Sequence, residues 1–209
     1  MIRFATEADK NRIIDLWTEI FGDSREAVMQ FLDYFPCEWA LGYYADDALV
    51  SCMFLLPLEI NRCGEKVKAN YVYALCTDPQ YRSKGYANSL IKYSMDYSAE
   101  NDIGYTLIRP SSESLFDYYS TLGFEREYRR VKKSLTNGTD LLYNQLDNDV
   151  VTFAEWGSNG VSYASGLGIT DDTYLPCVND AQGERYLMIR RNTRGVELPE
   201  CVYMGLTFE

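Results

Sequence analysis

Histidine is absent from all 209 positions. That removes the commonest general base, the Ser/His and Cys/His nucleophile pairs and every zinc site that needs an imidazole, and most hydrolase mechanisms go with them. The six cysteines, at 37, 52, 63, 76, 177 and 201, show no CxxC spacing and sit among apolar neighbours, as in Val50-Ser51-Cys52-Met53-Phe54. They read as reduced packing residues of a cytoplasmic protein. Positive charge is scarce: 20 Lys+Arg stand against 31 Asp+Glu, a formal net charge of -11. Such a chain opposes phosphate backbones and anionic bilayers, so neither a nucleic acid nor a membrane surface is expected as partner. The same field would concentrate cationic small molecules or basic peptides, and it serves solubility equally well. Long apolar runs are missing too. No stretch approaches bilayer-spanning length, and the opening Met1-Ile2-Arg3-Phe4-Ala5-Thr6-Glu7 has an acid where an export signal would have an apolar core. Low-complexity tracts and exact repeats are absent as well.

What is present is an ordinary globular composition, 46% hydrophobic and 24% charged, enough for one sizeable core. A short strand at Ile2 to Ala5 precedes two amphipathic helices, one carrying Ile13, Leu16, Trp17 and Ile20 and ended by Gly22, the other opened by Ser24 and carrying Val28, Phe31, Leu32 and Phe35. Residues 39 to 45 and 48 to 60 form a hairpin about Asp46-Asp47, and the bulky run Val67 to Thr77 reads as a central strand stopped by Asp78-Pro79. A helix from Ala87, a strand from Gly104 to Arg109, a helix from about Ser112 to Leu122 and a strand from Phe124 to Leu135 follow. Beyond Asn137-Gly138 the texture changes to turn-rich sequence with β-like runs at 150 to 155, 160 to 165, 185 to 191 and 201 to 208. The expected division is a first domain at 1–137 and a small β-rich region at 138–209, too short for an independent core and so packed on the first. The strand edges of such a unit suit a homodimer.

The chemistry concentrates in Thr77-Asp78-Pro79-Gln80-Tyr81-Arg82-Ser83-Lys84-Gly85-Tyr86-Ala87, between a buried strand and a helix start. Backbone N–H groups point outward unpaired at such a junction, and the helix dipole makes them a diphosphate cradle. Gly85 lets an anion approach the backbone, and Arg82 and Lys84 add positive charge. A charged loop that merely caps the helix is the alternative reading.

About thirty residues on comes Tyr118-Tyr119-Ser120-Thr121-Leu122-Gly123-Phe124. Arg82-Ser83-Lys84-Gly85-Tyr86-Ala87 resembles the R/Q-x-x-G-x-G/A acyl-CoA signature of the GNAT superfamily of N-acetyltransferases, and the later run resembles their Y-Y-x-x-L-G-F element. The resemblance covers roughly residues 1 to 135. It implies an α/β (α+β) fold with a central mixed, mostly antiparallel sheet flanked by helices, in the order β, α, α, β, β, β, α, β, α, β. The approach Pro110-Ser111-Ser112-Glu113-Ser114-Leu115-Phe116 looks like the Eis-type branch, of which residues 138–209 would hold a shortened, degenerate second unit.

What the resemblance implies can be stated residue by residue. The amides of Arg82, Ser83, Lys84, Gly85, Tyr86 and Ala87 would hold the pyrophosphate of acetyl-CoA, the cosubstrate. Leu75, Cys76 and Thr77 would pair their backbones with the pantetheine arm and the acetyl carbonyl, and Tyr119 would be the general acid that protonates the departing thiolate. A tyrosine, with a reference pKa near 10, holds a proton at pH 7 and can still give it up; packing of the helix is the other role open to it. With no histidine to activate it, Cys76 reads as strand packing rather than a nucleophile. The reaction implied is acetyl transfer to a primary amine in a ternary complex; the rival is a non-catalytic acyl-CoA-binding or regulatory module of the same fold. The acceptor is a small-molecule or peptide amine, and no metal is needed. Where many of the family carry a strand carboxylate, this strand has no acid between Asn70 and Asp78. That leaves Glu113, Asp78 through a water, or the Glu209 terminal carboxylate as base. The aromatics Trp17, Phe31, Tyr34, Phe35 and Trp39, with Asp33 and Glu38, stand where the acceptor would lie or simply form core.

Overall fold

The computed structural model describes residues 1–62, 64–130, 152–167, 175–178, 184–199 and 201–204. In it β1 (Ile2–Phe4), α1 (Lys10–Phe21), α2 (Arg25–Tyr34), β2 (Ala40–Ala45), β3 (Ala48–Arg62), β4 (Glu65–Thr77), α3 (Tyr86–Glu100), β5 (Tyr105–Ile108), α4 (Glu113–Thr121) and β6 (Arg126–Arg130) follow in the anticipated order. Local chemistry sets the boundaries. Gly22 takes a left-handed φ of 80° after α1, and the Ser24 hydroxyl accepts the Ala27 N–H at 3.1 Å to start α2. Asp46 and Asp47, at φ 49° and 62°, close the β2–β3 hairpin in the left-handed conformation that matches strand twist.

Among the described residues ten strands form one sheet, in the order β1-β2-β3-β4-β5-β9-β6-β8-β10-β7, with β7 (Thr152–Trp156), β8 (Leu175–Val178), β9 (Glu184–Arg191) and β10 (Cys201–Met204) from the C-terminal third. Only β4–β5 and β7–β10 run parallel, so the sheet is mixed and mostly antiparallel. β7 returns to the far half of β3, pairing Trp156 with Leu58 through Thr152 with Arg62. Eight of the described strands, β3 through β7 by way of β9, therefore close a circuit, in which β7, β8, β9 and β10 each have a neighbour on both sides.

Residue alternation along β3 divides the core. Phe54, Leu56, Leu58 and Ile60 pack toward α1, α2 and the interior of the circuit, while Met53 and Leu55 pack toward α3 and α4 with Leu90, Ile91, Phe116 and Tyr119. The C-terminal third is more interwoven than its sequence suggests. β9 lies between β5 and β6, pairing with both. The run 160 to 165, expected as a strand, lies in helix α5 (Ser158–Gly166). Small residues explain it. Gly160 lies so close to Trp156 that an added Cβ would stand 2.8 Å from that residue's Cβ, and buried Ala164 lies one turn on. Asn159 then donates to the Tyr34 carbonyl at 2.7 Å, docking the helix on α2. Strand β8 was not anticipated; the expected boundary at 137 and the strand extensions at 131 to 135 and 205 to 208 lie outside the described residues. Cys37, Cys52 and Cys76 are buried free thiols. No helix among the described residues is long and apolar enough to cross a membrane.

Candidate active site

The parallel pairing of β4 with β5 runs from Ala69↔Tyr105 to Val72↔Ile108 and stops. β5 ends there, with Pro110 shortly beyond, while β4 continues to Thr77 against β3 alone. In that continuation Tyr73 faces Phe54 and Cys76 faces Cys52, so Ala74 and Leu75 stand opposite the single residue Met53. This is a β-bulge, and Ala74 adopts φ 50°, a left-handed conformation that costs a non-glycine residue about 1–2 kcal/mol. A cavity of 450 Å³ opens where the strands part. Tyr73, Ala74 and Leu75 line it from β4, Arg109 from the end of β5, Tyr119 from α4, and Trp17 and Asp23 from α1 and the turn that follows it.

Two residues beyond the bulge β4 ends at Thr77 and leads into the loop before α3. The Asp78 carboxylate accepts the Gln80 N–H at 2.9 Å and pairs with Arg12 at 2.5 Å, and the Arg82 side chain donates to the Thr77 carbonyl at 3.3 Å. Ser83 and Gly85 both adopt left-handed φ, 60° and 78°, turning the chain sharply into Tyr86, the first residue of α3. Among the described residues the amides of Ser83 to Ala87 meet no protein acceptor. Nothing lies within 4 Å of where a Gly85 Cβ would project, so an anion has open access to this backbone. The Lys84 ammonium stands 4.7 Å above the Tyr81 ring.

A family model described as acetyltransferase (GNAT) domain matches residues 1–126. The chain belongs to the GNAT acetyltransferase family. The fold agrees: a GCN5-related N-acetyltransferase from Anabaena variabilis is similar with a TM-score of 0.60 at 17% identity, over 90% of this chain and 53% of that one. Another from Kribbella flavida gives 0.57 at 13% identity, over 99% and 65%. Eis1 from Mycobacterium abscessus gives 0.57 at 10%, over 98% and 65%. The chain thus spans about half the length of the first structures it matches. No curated protein matches it.

Within this GNAT domain eight of the ten residues singled out from sequence fall into two groups. Leu75 and Tyr119 meet at the cavity, and Arg82 through Ala87 form the loop at the head of α3. Cys76 is turned into the core, its Sγ 3.6 Å from that of Cys52, and its carbonyl accepts the Ser51 hydroxyl at 2.7 Å. The Thr77 hydroxyl meets that of Ser51 at 2.8 Å.

Tyr119 is 6% exposed, its ring edge-on to Phe124 and tilted against Tyr118. Burial pushes its phenol pKa up, with Tyr118 adding to the shift, so the hydroxyl keeps its proton. Strand β9 grips its helix at both ends: Arg185 pairs with Glu113 at 3.0 Å and Asp117 at 3.4 Å, and Arg190 donates to the Leu122 carbonyl at 2.9 Å. Gly123, at φ 87°, makes room for that contact, since a Cβ would lie 2.5 Å from the guanidinium.

The carboxylates anticipated as bases are differently placed. Glu113 is exposed and tied to Arg185, outside the cavity lining. Asp78 is held by the Gln80 amide and Arg12, which lower its pKa. Glu209 lies outside the described residues. The carboxylate that does line the cavity is Asp23, which the sequence reading passed over; it accepts the Trp17 indole N–H at 2.6 Å. Of the anticipated acceptor-side aromatics Trp17 lines the cavity, whereas Phe31 and Phe35 are buried core and Tyr34 packs on Tyr163.

Proposed function

We propose that this chain transfers an acetyl group from acetyl-CoA to a primary amine in a direct ternary complex. One observation carries the reading: a single strand, β4, connects a loop of unpaired amides fit for a diphosphate to a cavity that holds a protonated tyrosine, where the sheet opens. CoA laid along the free side of β4 puts its diphosphate on the Ser83–Ala87 amides and its thioester beside Ala74 and Leu75.

The chemistry follows from those positions. The acceptor arrives as an ammonium with a reference pKa near 10.4 and must first lose a proton; Asp23 accepts a hydrogen bond from it and relays that proton to solvent. The freed nitrogen lone pair attacks the thioester carbon, a C–N bond forms, and the carbonyl oxygen gains charge. Backbone amides at the Ala74–Leu75 bulge, displaced from the regular ladder, suit that oxyanion. As the C–S bond breaks, its electron pair leaves on sulfur and the Tyr119 proton moves to it. A phenol at pKa 10 is a weaker acid than a thiol at about 8.5, and burial widens the gap. The proton therefore crosses only as charge accumulates on sulfur, and the phenolate recovers it from solvent. The nitrogen, cationic once bonded to carbon, sheds its second proton to solvent as the intermediate collapses, so the products are the N-acetyl amine, CoA thiol and one proton.

The test is thiol release from acetyl-CoA across a panel of amino acids, diamines, aminoglycosides and lysine peptides, with Tyr119→Phe beside wild type. The expected result is turnover with at least one amine, a fall in kcat of roughly 10²–10⁴ in the variant, and an unchanged CoA-induced rise in Tm. CoA stabilisation with no turnover for any amine would make the chain an acyl-CoA-binding module.

A further inference from the structure

The acceptor side of the cavity is a corner of rings about one carboxylate. Trp17 and Phe21, four residues apart on α1, share one face of the helix, their ring centroids 6.1 Å apart and edge to face. Tyr73 of β4 meets the Trp17 ring at 5.5 Å in the same manner. Trp17 is 5% exposed, whereas Phe21, the last residue of the helix, is 46% exposed and still lines the cavity. Asp23 stands two residues on, its Oδ2 fixed by the Trp17 indole at 2.6 Å. Among the described residues its Oδ1 meets no protein donor. One wet ring and one open carboxylate oxygen thus flank the same indole where the cavity meets solvent.

Each feature selects. An ammonium suits Asp23, since a charged donor makes the stronger hydrogen bond to a carboxylate and ring faces attract a cation. It suits only one. The overall charge of -11 would draw polycations toward the protein, but the cavity lining holds no second carboxylate, and an ammonium taken out of water without a partner is costly. Phe21 sets what the rest of the acceptor should be. Its wet face gains when apolar surface covers it, and gains most from another ring, stacked or edge-on at about 4.5–7 Å. A hydroxyl laid on that face would lose water and find only carbon. Size points to a small body. At 450 Å³ the cavity lies low in the range of about 300–1,000 Å³ for small-molecule sites, and the acetyl end of CoA shares it.

We propose that the acceptor is a primary monoamine with an aryl group on a short alkyl chain, its ammonium docked on Asp23 and its ring on Phe21. The proposal rests on the acetyl-transfer reading and narrows it. Phe21 becomes a specificity-determining residue that holds the ring at the mouth of the cavity, so that the nitrogen, on Asp23, is turned toward the thioester.

The experiment measures kcat/KM for phenethylamine, ethylamine, putrescine and L-lysine with acetyl-CoA, using wild type, Phe21→Ala and Phe21→Trp. In wild type phenethylamine is expected to exceed each of the others by roughly thirtyfold or more. Phe21→Ala should cut the phenethylamine-to-ethylamine ratio by roughly tenfold or more, chiefly through KM, because the ring is held equally in ground and transition states. Phe21→Trp should restore most of that ratio, which a merely structural residue would not do. A smaller preference in wild type, or one of the other amines outrunning phenethylamine, overturns the proposal and leaves acetyl transfer standing; so does a smaller cut in a Phe21→Ala protein that CoA still stabilises. If neither Phe21 variant folds, the wild-type order alone decides. If no amine, arylalkylamines included, is acetylated while CoA still raises Tm, the acetyl-transfer reading falls and takes this one with it.

Discussion

The middle and the finish of β4 both carry aromatic residues and do opposite things. From Ala69 to Val72 the strand lies between β3 and β5, and rings pack against one another: Tyr71 stands edge-on to Trp156, and Tyr128 and Tyr186 are buried in the same core, the Tyr128 hydroxyl donating to the Pro199 carbonyl. Toward its finish β5 is gone, the bulge turns the strand, and Tyr73, Trp17 and Tyr119 surround a hollow. Aromatic content does not distinguish a core from a site here. The difference is whether the backbone has a partner on both sides, because an unpaired strand edge needs either water or a ligand to satisfy it.

That contrast can be broken at the closed stretch first, where the largest loss is expected. Tyr128→Ala removes a ring that is 0% exposed together with its hydrogen bond, and should cost about 3–5 kcal/mol of unfolding free energy by denaturant titration. The folded fraction should still gain the full CoA-dependent rise in Tm. Were CoA protection lost along with stability, the two stretches would be one cooperative unit and the division above would be wrong.

At the open end the pattern should invert. Gly85→Glu puts a carboxylate where the cradle would meet a diphosphate, at φ 78°, which costs a side chain about 1–2 kcal/mol in stability. Its main effect should be on CoA. Losing one charge-assisted hydrogen bond, at about 1.5–3 kcal/mol, weakens binding roughly a hundredfold, read as a vanished Tm shift at a concentration that saturates wild type. A variant that CoA protects as well as wild type would dismiss the cradle.

The contrast also explains what was legible beforehand. The order from β1 to β6 and the loop at the head of α3 depend on local signals, a glycine at positive φ, helix caps, and apolar alternation, and these are written in short windows of sequence. Tyr119 was readable because Gly123-Phe124 follow it in a recognisable run. Asp23 was not. It stands between Gly22 and Ser24, which read as the punctuation between two helices, and it gains meaning only through Trp17 and the cavity. The Ala74 bulge is a property of a strand pair, so no single strand announces it. The insertion of β9 between β5 and β6 joins segments far apart in sequence, and α5 hides in β-forming residues whose small neighbours matter only once α2 lies against them.

The smallest effect separates two acids at the open end, Asp78 and Asp23. Asp78 is held below the usual carboxylate range, first by the Gln80 amide and then by Arg12, so its ionised form stabilises the folded state. The sign follows: that contribution is complete above the unfolded value of about 3.9 and disappears as pH falls through the lower folded value. Asp78→Asn should therefore be less stable than wild type at pH 7, and the gap should close in acid. Its pH–rate profile for acetyl transfer should keep the wild-type shape, because this carboxylate anchors a loop and handles no proton. A shift in the acidic limb of that profile would instead make Asp78, acting through water, the base that the acceptor needs, and would return Asp23 to the role of an ordinary turn residue.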